Sequence, residues 1–253
     1  CVTAENGYAY FSSNNGVHVV NITDLNNPVN YGSINGTNGL ILENLKVKDD
    51  LLIVAAHEDG AHLYNVSNPT NPIYLSTIPT NNSWAVDIME GYAFIADEEN
   101  ILVVDISNLS GPEIIAEIET GNAIKDIEID DIFIYVAIGS DGVHIYDISD
   151  PTYPLFLDNY NTTTLANRIS AFNGKLAISD WDDVEVIEWD GSNLNLIGYK
   201  NTSNRTMAIG TKDNYIYSAE WKSIHLMEFG EIEGPDIDIS STYIIYPFVE
   251  DGE

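Results

Sequence analysis

Basic residues are scarce in this chain: 9 Lys and Arg stand against 40 Asp and Glu in 253 residues, a formal net charge of −31. A nucleic acid is held through clusters of Lys and Arg on its phosphates, so nucleic acid is excluded as a partner and an anionic membrane surface is disfavoured. Such a charge keeps a protein soluble at the cost of self-repulsion, which salt or divalent cations relieve, and that suits an extracellular setting. Cysteine is almost absent. Cys1 is the single one, which excludes an internal disulfide framework and any cysteine-based zinc site. No apolar run reaches the length of a membrane span, and no stretch carries the 3.6-residue periodicity of a long helix. Also missing are a Ser-His-Asp order, a His-Glu-x-x-His pair, a phosphate-binding glycine loop and a dinucleotide fingerprint.

What the chain has is repetition. Gly16-Val-His-Val-Val-Asn-Ile22, Gly60-Ala-His-Leu-Tyr-Asn-Val66, Ile101-Leu-Val-Val-Asp-Ile106 and Gly142-Val-His-Ile-Tyr-Asp-Ile148 recur at a spacing near 42 residues. Weaker copies follow at Val184–Trp189 and Ile224–Phe229. An apolar run such as Tyr92–Ala96 precedes each, and turns such as Asn68-Pro-Thr-Asn-Pro72 and Asp150-Pro-Thr-Tyr-Pro154 lead into a further strand. β-branched and aromatic residues bounded by Asn, Asp, Gly and Pro predict short strands joined by tight turns. Four strands per unit at this period predict an all-β propeller of six four-stranded blades over 1–240, with third strands beginning near Val17, Ala61, Ile101, Val143, Val184 and Ile224.

The pattern Gly142 to Pro154, present in weaker form from Gly60 to Pro72, resembles the LVIVD-repeat proteins. The resemblance implies a propeller of bacterial and archaeal secreted or surface proteins and transfers no catalytic motif. The fifth and sixth copies lose the Asp-Ile-Ser-Asp-Pro turn. Residues 241–253 resemble the start of an Ig-like domain of the abnormal-spindle and hydin type, while Gly234–Ser240 aligns with an outer blade strand. Cys1 matches the residue that lipoprotein processing leaves with a lipid anchor on its thiol. It already opens a strand of the repeat, without a tether, so a cut at a domain edge is the preferred reading.

His18, His62, His144 and His225 share one place in the third strand, where blades hold them apart, so packing or a buried hydrogen bond is expected rather than a shared metal. Asn21, Asn65, Asp105 and Asp147 precede turns and are expected to bond the backbone there. Asp87 and Asp126, on first strands, are the candidate channel carboxylates; their counterparts read as Thr3, Asn44, Ser170 and Ala208, so no ring of acids forms. Loops between second and third strands share a face with the connections between blades, which predicts an acidic binding face of Glu58, Asp59, Asp97, Glu98, Glu99 and Asp141 with Trp84, Trp181 and Trp221. Within it Asp180, Asp182 and Asp183 are the candidate ligands for calcium, a cation that prefers several oxygens. Asn-x-Ser/Thr sequons at Asn21, Asn35, Asn65, Asn81, Asn108, Asn161, Asn201 and Asn204 are glycosylation candidates on turns.

These features favour a non-catalytic, cell-surface or secreted propeller that binds a protein or glycan through its loop faces. The alternatives are a divalent-metal-dependent hydrolase or lyase acting at the channel mouth, and a self-assembling subunit of a surface layer or filament.

Overall fold

The computed structural model describes residues 1–202 and 204–230 and the backbone of Tyr243–Ile245. Strands come in consecutive fours, each four forming one antiparallel sheet in chain order. Blade 1 holds β1 (Val2–Glu5), β2 (Tyr8–Ser13), β3 (Gly16–Asn21) and β4 (Val29–Ser33); blade 2 holds β5 (Asn44–Lys48), β6 (Leu51–Ala55), β7 (Ala61–Asn65) and β8 (Ile73–Ile78). Blade 3 comprises β9 (Ser83–Met89), β10 (Tyr92–Asp97), β11 (Asn100–Asp105) and β12 (Glu113–Glu119). Blade 4 comprises β13 (Asp126–Asp130), β14 (Phe133–Ala137), β15 (Val143–Asp147) and β16 (Leu155–Tyr160). Blade 5 has β17 (Ala166–Phe172), β18 (Lys175–Asp180), β19 (Asp183–Trp189) and β20 (Leu194–Asn201). Blade 6 has β21 (Thr206–Lys212), β22 (Tyr215–Glu220), β23 (Ile224–Glu228) and β24 (Tyr243–Ile245). The fold is a six-bladed β-propeller. No helix among the described residues is long and apolar enough to cross a membrane.

The expected third-strand starts agree with β3, β7, β11, β15, β19 and β23 to within one residue. The outer strand of blade 6 is β24, which pairs Ile245 with Ile224 and so falls inside the segment 241–253 that the sequence sets apart. The remainder of that segment, and the alternative outer strand Gly234–Ser240, lie outside the described residues.

Two compact units divide the chain, Cys1–Ile124 with Pro151–Tyr153, and Lys125–Asp150 with Pro154–Glu253. In the first unit β6 is buried along its whole length. Its side chains alternate, Leu52 and Val54 packing with Tyr10, Val19 and Val47 of blades 1 and 2, and Leu51 and Ile53 packing with Val86, Ile88 and Ile95 of blade 3. A strand with both faces covered needs apolar residues at every position, which is why these runs are continuous rather than alternating. The second unit repeats the device: Tyr135, Ile145, Ile169 and Ile178 join blades 4 and 5, and Phe172, Val186, Ile216 and Met227 join blades 5 and 6.

First strands of adjacent blades are also tied by polar bonds. The Val47 amide donates to Thr3 Oγ1 at 3.3 Å, Lys48 Nζ to the Ile88 carbonyl at 3.1 Å, and the Ile169 amide to Asp126 Oδ2 at 3.0 Å. The hairpins that open blades 1 and 5 turn on Asn6-Gly7 and Asn173-Gly174, with φ of 51° and 81°, and 48° and 72°. Two consecutive positive φ values define the type I′ turn, whose twist suits a two-residue hairpin and whose backbone Asn and Gly tolerate.

Candidate functional site

The turn after each third strand follows one scheme. Asn21 Oδ1 accepts from the amide and hydroxyl of Thr23 at 2.9 and 2.6 Å, and Asn65 Oδ1 accepts likewise from Ser67 at 2.9 and 2.6 Å. Asp105 and Asp147 fill the same role toward the amides of Ser107 and Ser149, both at 2.8 Å. The Ser107 and Ser149 hydrogen bonds hold those two carboxyls below the usual carboxylate range. Turn fixation, expected from the sequence, is what these residues do.

The hydroxyl residues of several sequons are structural as well. Thr37 is fully buried, with its Oγ1 accepting from the Val17 amide, and Ser83 is fully buried with its Oγ accepting from the Ala56 amide. Asn35, Asn81, Asn108, Asn161 and Asn201 are exposed, while Asn21, Asn65 and Asn204 are half-buried.

The strand registers correct the expected alignment of the first-strand acids. Asp87 stands opposite Phe94 and Glu128 opposite Tyr135, so Glu128, rather than Asp126, is the blade 4 counterpart of Asp87. The blade 2 and blade 6 counterparts are Lys46 and Gly210 rather than Asn44 and Ala208. Lys46 Nζ reaches Asp87 Oδ1 at 2.9 Å, so the buried Asp87 carboxylate belongs to an ion pair.

The loop acids are of two kinds. Glu58, Asp59, Glu98 and Glu99 are exposed, and Glu99 lines a shallow pocket with Asn100, Glu117 and Glu119. Asp97 is not one of them. It is buried, and its carboxylate clamps the connection from blade 2 by accepting from the amides of Asn81 at 3.0 Å and Asn82 at 2.6 Å. Asp141 is half-buried. Trp84 lies against the His57 ring with centroids 5.0 Å apart, and His57 Nε2 meets Glu43 Oε1 at 2.8 Å. Arg205 covers the Trp181 ring at 4.3 Å, which leaves Trp221, at 66% exposure, as the open indole of the three.

Blade 5 departs from its neighbours. Pairing along the second and third strands sets His18 opposite Phe11, His62 opposite Val54, His144 opposite Val136, Glu185 opposite Ile178 and His225 opposite Ser218. These are one position in five blades, and Glu185 occupies the histidine place. Burial lowers the pKa of His62 and His144, so those blades hold a neutral ring that bonds Thr77 Oγ1 at 2.8 Å in the case of His62.

Glu185 is fully buried beside Asp180, also fully buried, and Asp183, 5% exposed. One carboxylate oxygen from each of the three lies within 4.8 Å of the others. Thr163 Oγ1 is 2.7 Å from Asp180 Oδ2 and 3.3 Å from Asp183 Oδ2 but has one proton to donate, and the Thr164 amide donates to Asp180 Oδ2 at 2.8 Å. The Thr163 amide donates to Glu185 Oε1 at 3.2 Å. Burial first, and then the charges of Glu185 and Asp180, push the Asp183 carboxyl up to about 7. Burial likewise raises Glu185, and burial together with the Glu185 charge raises Tyr160. Asp182, adjacent in sequence, is exposed, and its Oδ1 accepts from Thr164 Oγ1 at 3.1 Å. The structure thus brings together Asp180, Asp183 and Glu185, whereas the sequence grouped Asp182 in place of Glu185. The signal for Glu185 was its alignment with the histidine column.

Residues 81–120 and 121–162 each match the LVIVD repeat, and they coincide with blades 3 and 4 and the connections leading into them. The chain is a six-bladed β-propeller whose blades 3 and 4 are LVIVD repeats. No curated protein matches it. The chain is similar in structure to a functionally unknown protein from Desulfotomaculum acetoxidans, with a TM-score of 0.71 and 12% identity over 95% of this chain and 81% of that one. It is also similar to the computationally designed Ika8 protein, with a TM-score of 0.67 and 11% identity over 87% and 67% of the two chains. A chain of a nidogen/laminin complex gives a TM-score of 0.62 and 12% identity over 87% and 89%. At these identities the likeness is one of fold.

Proposed function

We propose that this LVIVD-repeat propeller is a non-catalytic recognition module of a secreted or cell-surface protein, docking a cationic protein segment or a glycan on its loop face. The observation that carries the reading is the division of its acids. Asp87, Asp97 and Asp126, which sequence alone offered to catalysis or to ligand binding, are engaged by Lys46, by the Asn81 and Asn82 amides and by the Ile169 amide. Glu58, Asp59, Glu98 and Glu99 are exposed on loops, where charge steers encounter and selects a partner of opposite sign. The carboxylate trio of blade 5 is too closed to solvent to meet a substrate at a channel mouth.

The test is binding to immobilised lysine-rich peptides and to a glycan array, comparing the native chain with a variant in which Glu58, Asp59, Glu98 and Glu99 are changed to their amides. Binding that falls with rising salt and is lost in the variant, at unchanged melting temperature, supports the reading. Ligand-independent turnover of ester, glycoside or phosphate substrates by the native chain would overturn it.

A further inference from the structure

We propose that Asp180, Asp183 and Glu185 form a calcium site inside blade 5, separate from the loop-face recognition argued above. Three observations converge on a cation. All three carboxylates are at least nine-tenths buried. Among the described residues, Asp180 Oδ1, Asp183 Oδ1 and Glu185 Oε2 are buried without a hydrogen-bond partner, and no Lys, Arg or His pairs with any of the three. Buried carboxylates in that condition demand either protons or a metal, because isolated charge is costly away from water.

The geometry selects the kind of metal. Oxygens sharing an ion at a distance of roughly 2.4 Å can be separated by at most about 4.8 Å, and the three ligand atoms here lie within 4.8 Å of one another. Every donor is a hard oxygen, with neither His nor Cys in the set, which favours calcium over zinc and the later transition metals. Thr162 Oγ1, on the connection that enters blade 5, is a further buried oxygen without a hydrogen-bond partner.

Comparison of the blades gives the same answer. At the matching positions blade 3 has Asp97, Asn100 and Leu102, a single acid answered by the Asn81 and Asn82 amides. Blade 6 has Glu220, Ser223 and His225, where His225 Nε2 lies 3.2 Å from Glu220 Oε1 and 3.0 Å from Ser223 Oγ. Among these blades, only blade 5 places three acids where the others place one acid or an acid with a base. A calcium ion in blade 5 would stand where blade 6 sets the His225 ring beside Glu220.

The experiment uses the full chain stripped with chelator, with calorimetric titration of calcium and melting curves in calcium, magnesium or chelator at matched ionic strength. One calcium per chain binds, the melting temperature rises, and magnesium has a smaller effect. Glu185→Gln weakens calcium by roughly tenfold or more through loss of a charged ligand. Glu185→His, which restores the residue of four other blades, keeps the fold and removes the calcium dependence, while Asp182→Asn leaves affinity unchanged. Equal melting curves in calcium and chelator with no heat of binding overturn the proposal, as does calcium binding that survives both Glu185 variants or disappears in Asp182→Asn.

Discussion

Gly142→Ala is the sharpest test of how the repeat closes each blade. Gly142 has φ of 75°, a left-handed conformation that costs an L-residue roughly 1–2 kcal/mol. Steric conflict adds to that. A Cβ at Gly142 would overlap the carbonyl oxygen of Tyr160 and stand 2.8 Å from Asn161 Cα and 2.9 Å from the Thr162 nitrogen. All three are backbone, where β16 leaves the blade, so no side chain can rotate out of the way. Overpacking of this kind costs about 1–3 kcal/mol, giving about 2–5 kcal/mol in total against a stability of about 5–15 kcal/mol for a typical protein. Gly174→Ala is the control: its φ is 72°, yet nothing lies within 4 Å of the added Cβ, so it carries the backbone cost alone. Urea unfolding followed by tryptophan fluorescence should place Gly142→Ala well below Gly174→Ala. Equal midpoints for the two variants would refute the close approach. A Cβ at Gly60 would likewise stand 2.6 Å from the Ile78 carbonyl oxygen, so Gly60→Ala should resemble Gly142→Ala.

Asn65→Ala, which deletes an acceptor of two bonds from Ser67, should lower stability by about 1–2 kcal/mol; Asn65→Asp keeps the acceptor, abolishes the sequon and should be near neutral by urea midpoint. In chelator, the folded chain keeps on Asp183 a proton that the unfolded chain releases near 3.8, so this group's contribution is full at acid pH and is lost as pH rises from about 4 to about 7. Native chain minus Asp183→Asn, measured across that range, should show the decline, at most a few kcal/mol, and saturating calcium should abolish it; a flat difference in chelator would count against the trio being buried together.

Much of the fold was legible because the middle strands are buried on both faces. Runs such as Leu51–Ala55 must then be continuously apolar, and the Gly-x-His and Asp-x-Ser signatures mark where the third strand starts and stops. Other features leave no such trace. The third and fourth strands slip register by a bulge at Val19/Val20, Leu63/Tyr64, Val103/Val104, Ile145/Tyr146 and Val186/Ile187. Any pair of apolar residues can host that extra position. Asp97 looked like a loop acid because it follows Ala96 at the end of a strand, yet its burial depends on amides contributed by the preceding connection. Asp87 and Asp126 match by residue type, and only the hairpin pairing separates them by two positions. Glu185 was hidden among alternating polar and apolar residues of Val184–Glu188, where a strand glutamate reads as solvent-facing.

The exchange of Asn and Asp across blades shows what the turn selects for. Asn21 and Asn65 receive two bonds each through Oδ1, and Asp105 and Asp147 receive the same amide bond through the same atom. What is common is an acceptor oxygen two residues before a Ser or Thr amide, so the amide nitrogen of Asn contributes nothing the turn requires. The hydroxyl is likewise a structural donor at Thr23 and Ser67. An Asn-x-Ser/Thr triplet therefore arises at these turns from backbone satisfaction alone, and its frequency carries no information about glycans at Asn21 or Asn65. The reverse holds for the histidine column: a neutral, half-buried ring serves blades 2 and 4, and replacing it with a carboxylate in blade 5 gains the Thr163 amide bond but adds a third buried acid beside two others. A buried residue that breaks its repeat at an electrostatic cost calls for a charge to answer it, and this is why the trio, rather than the more numerous acids of the surface, is the place to look for a bound cation.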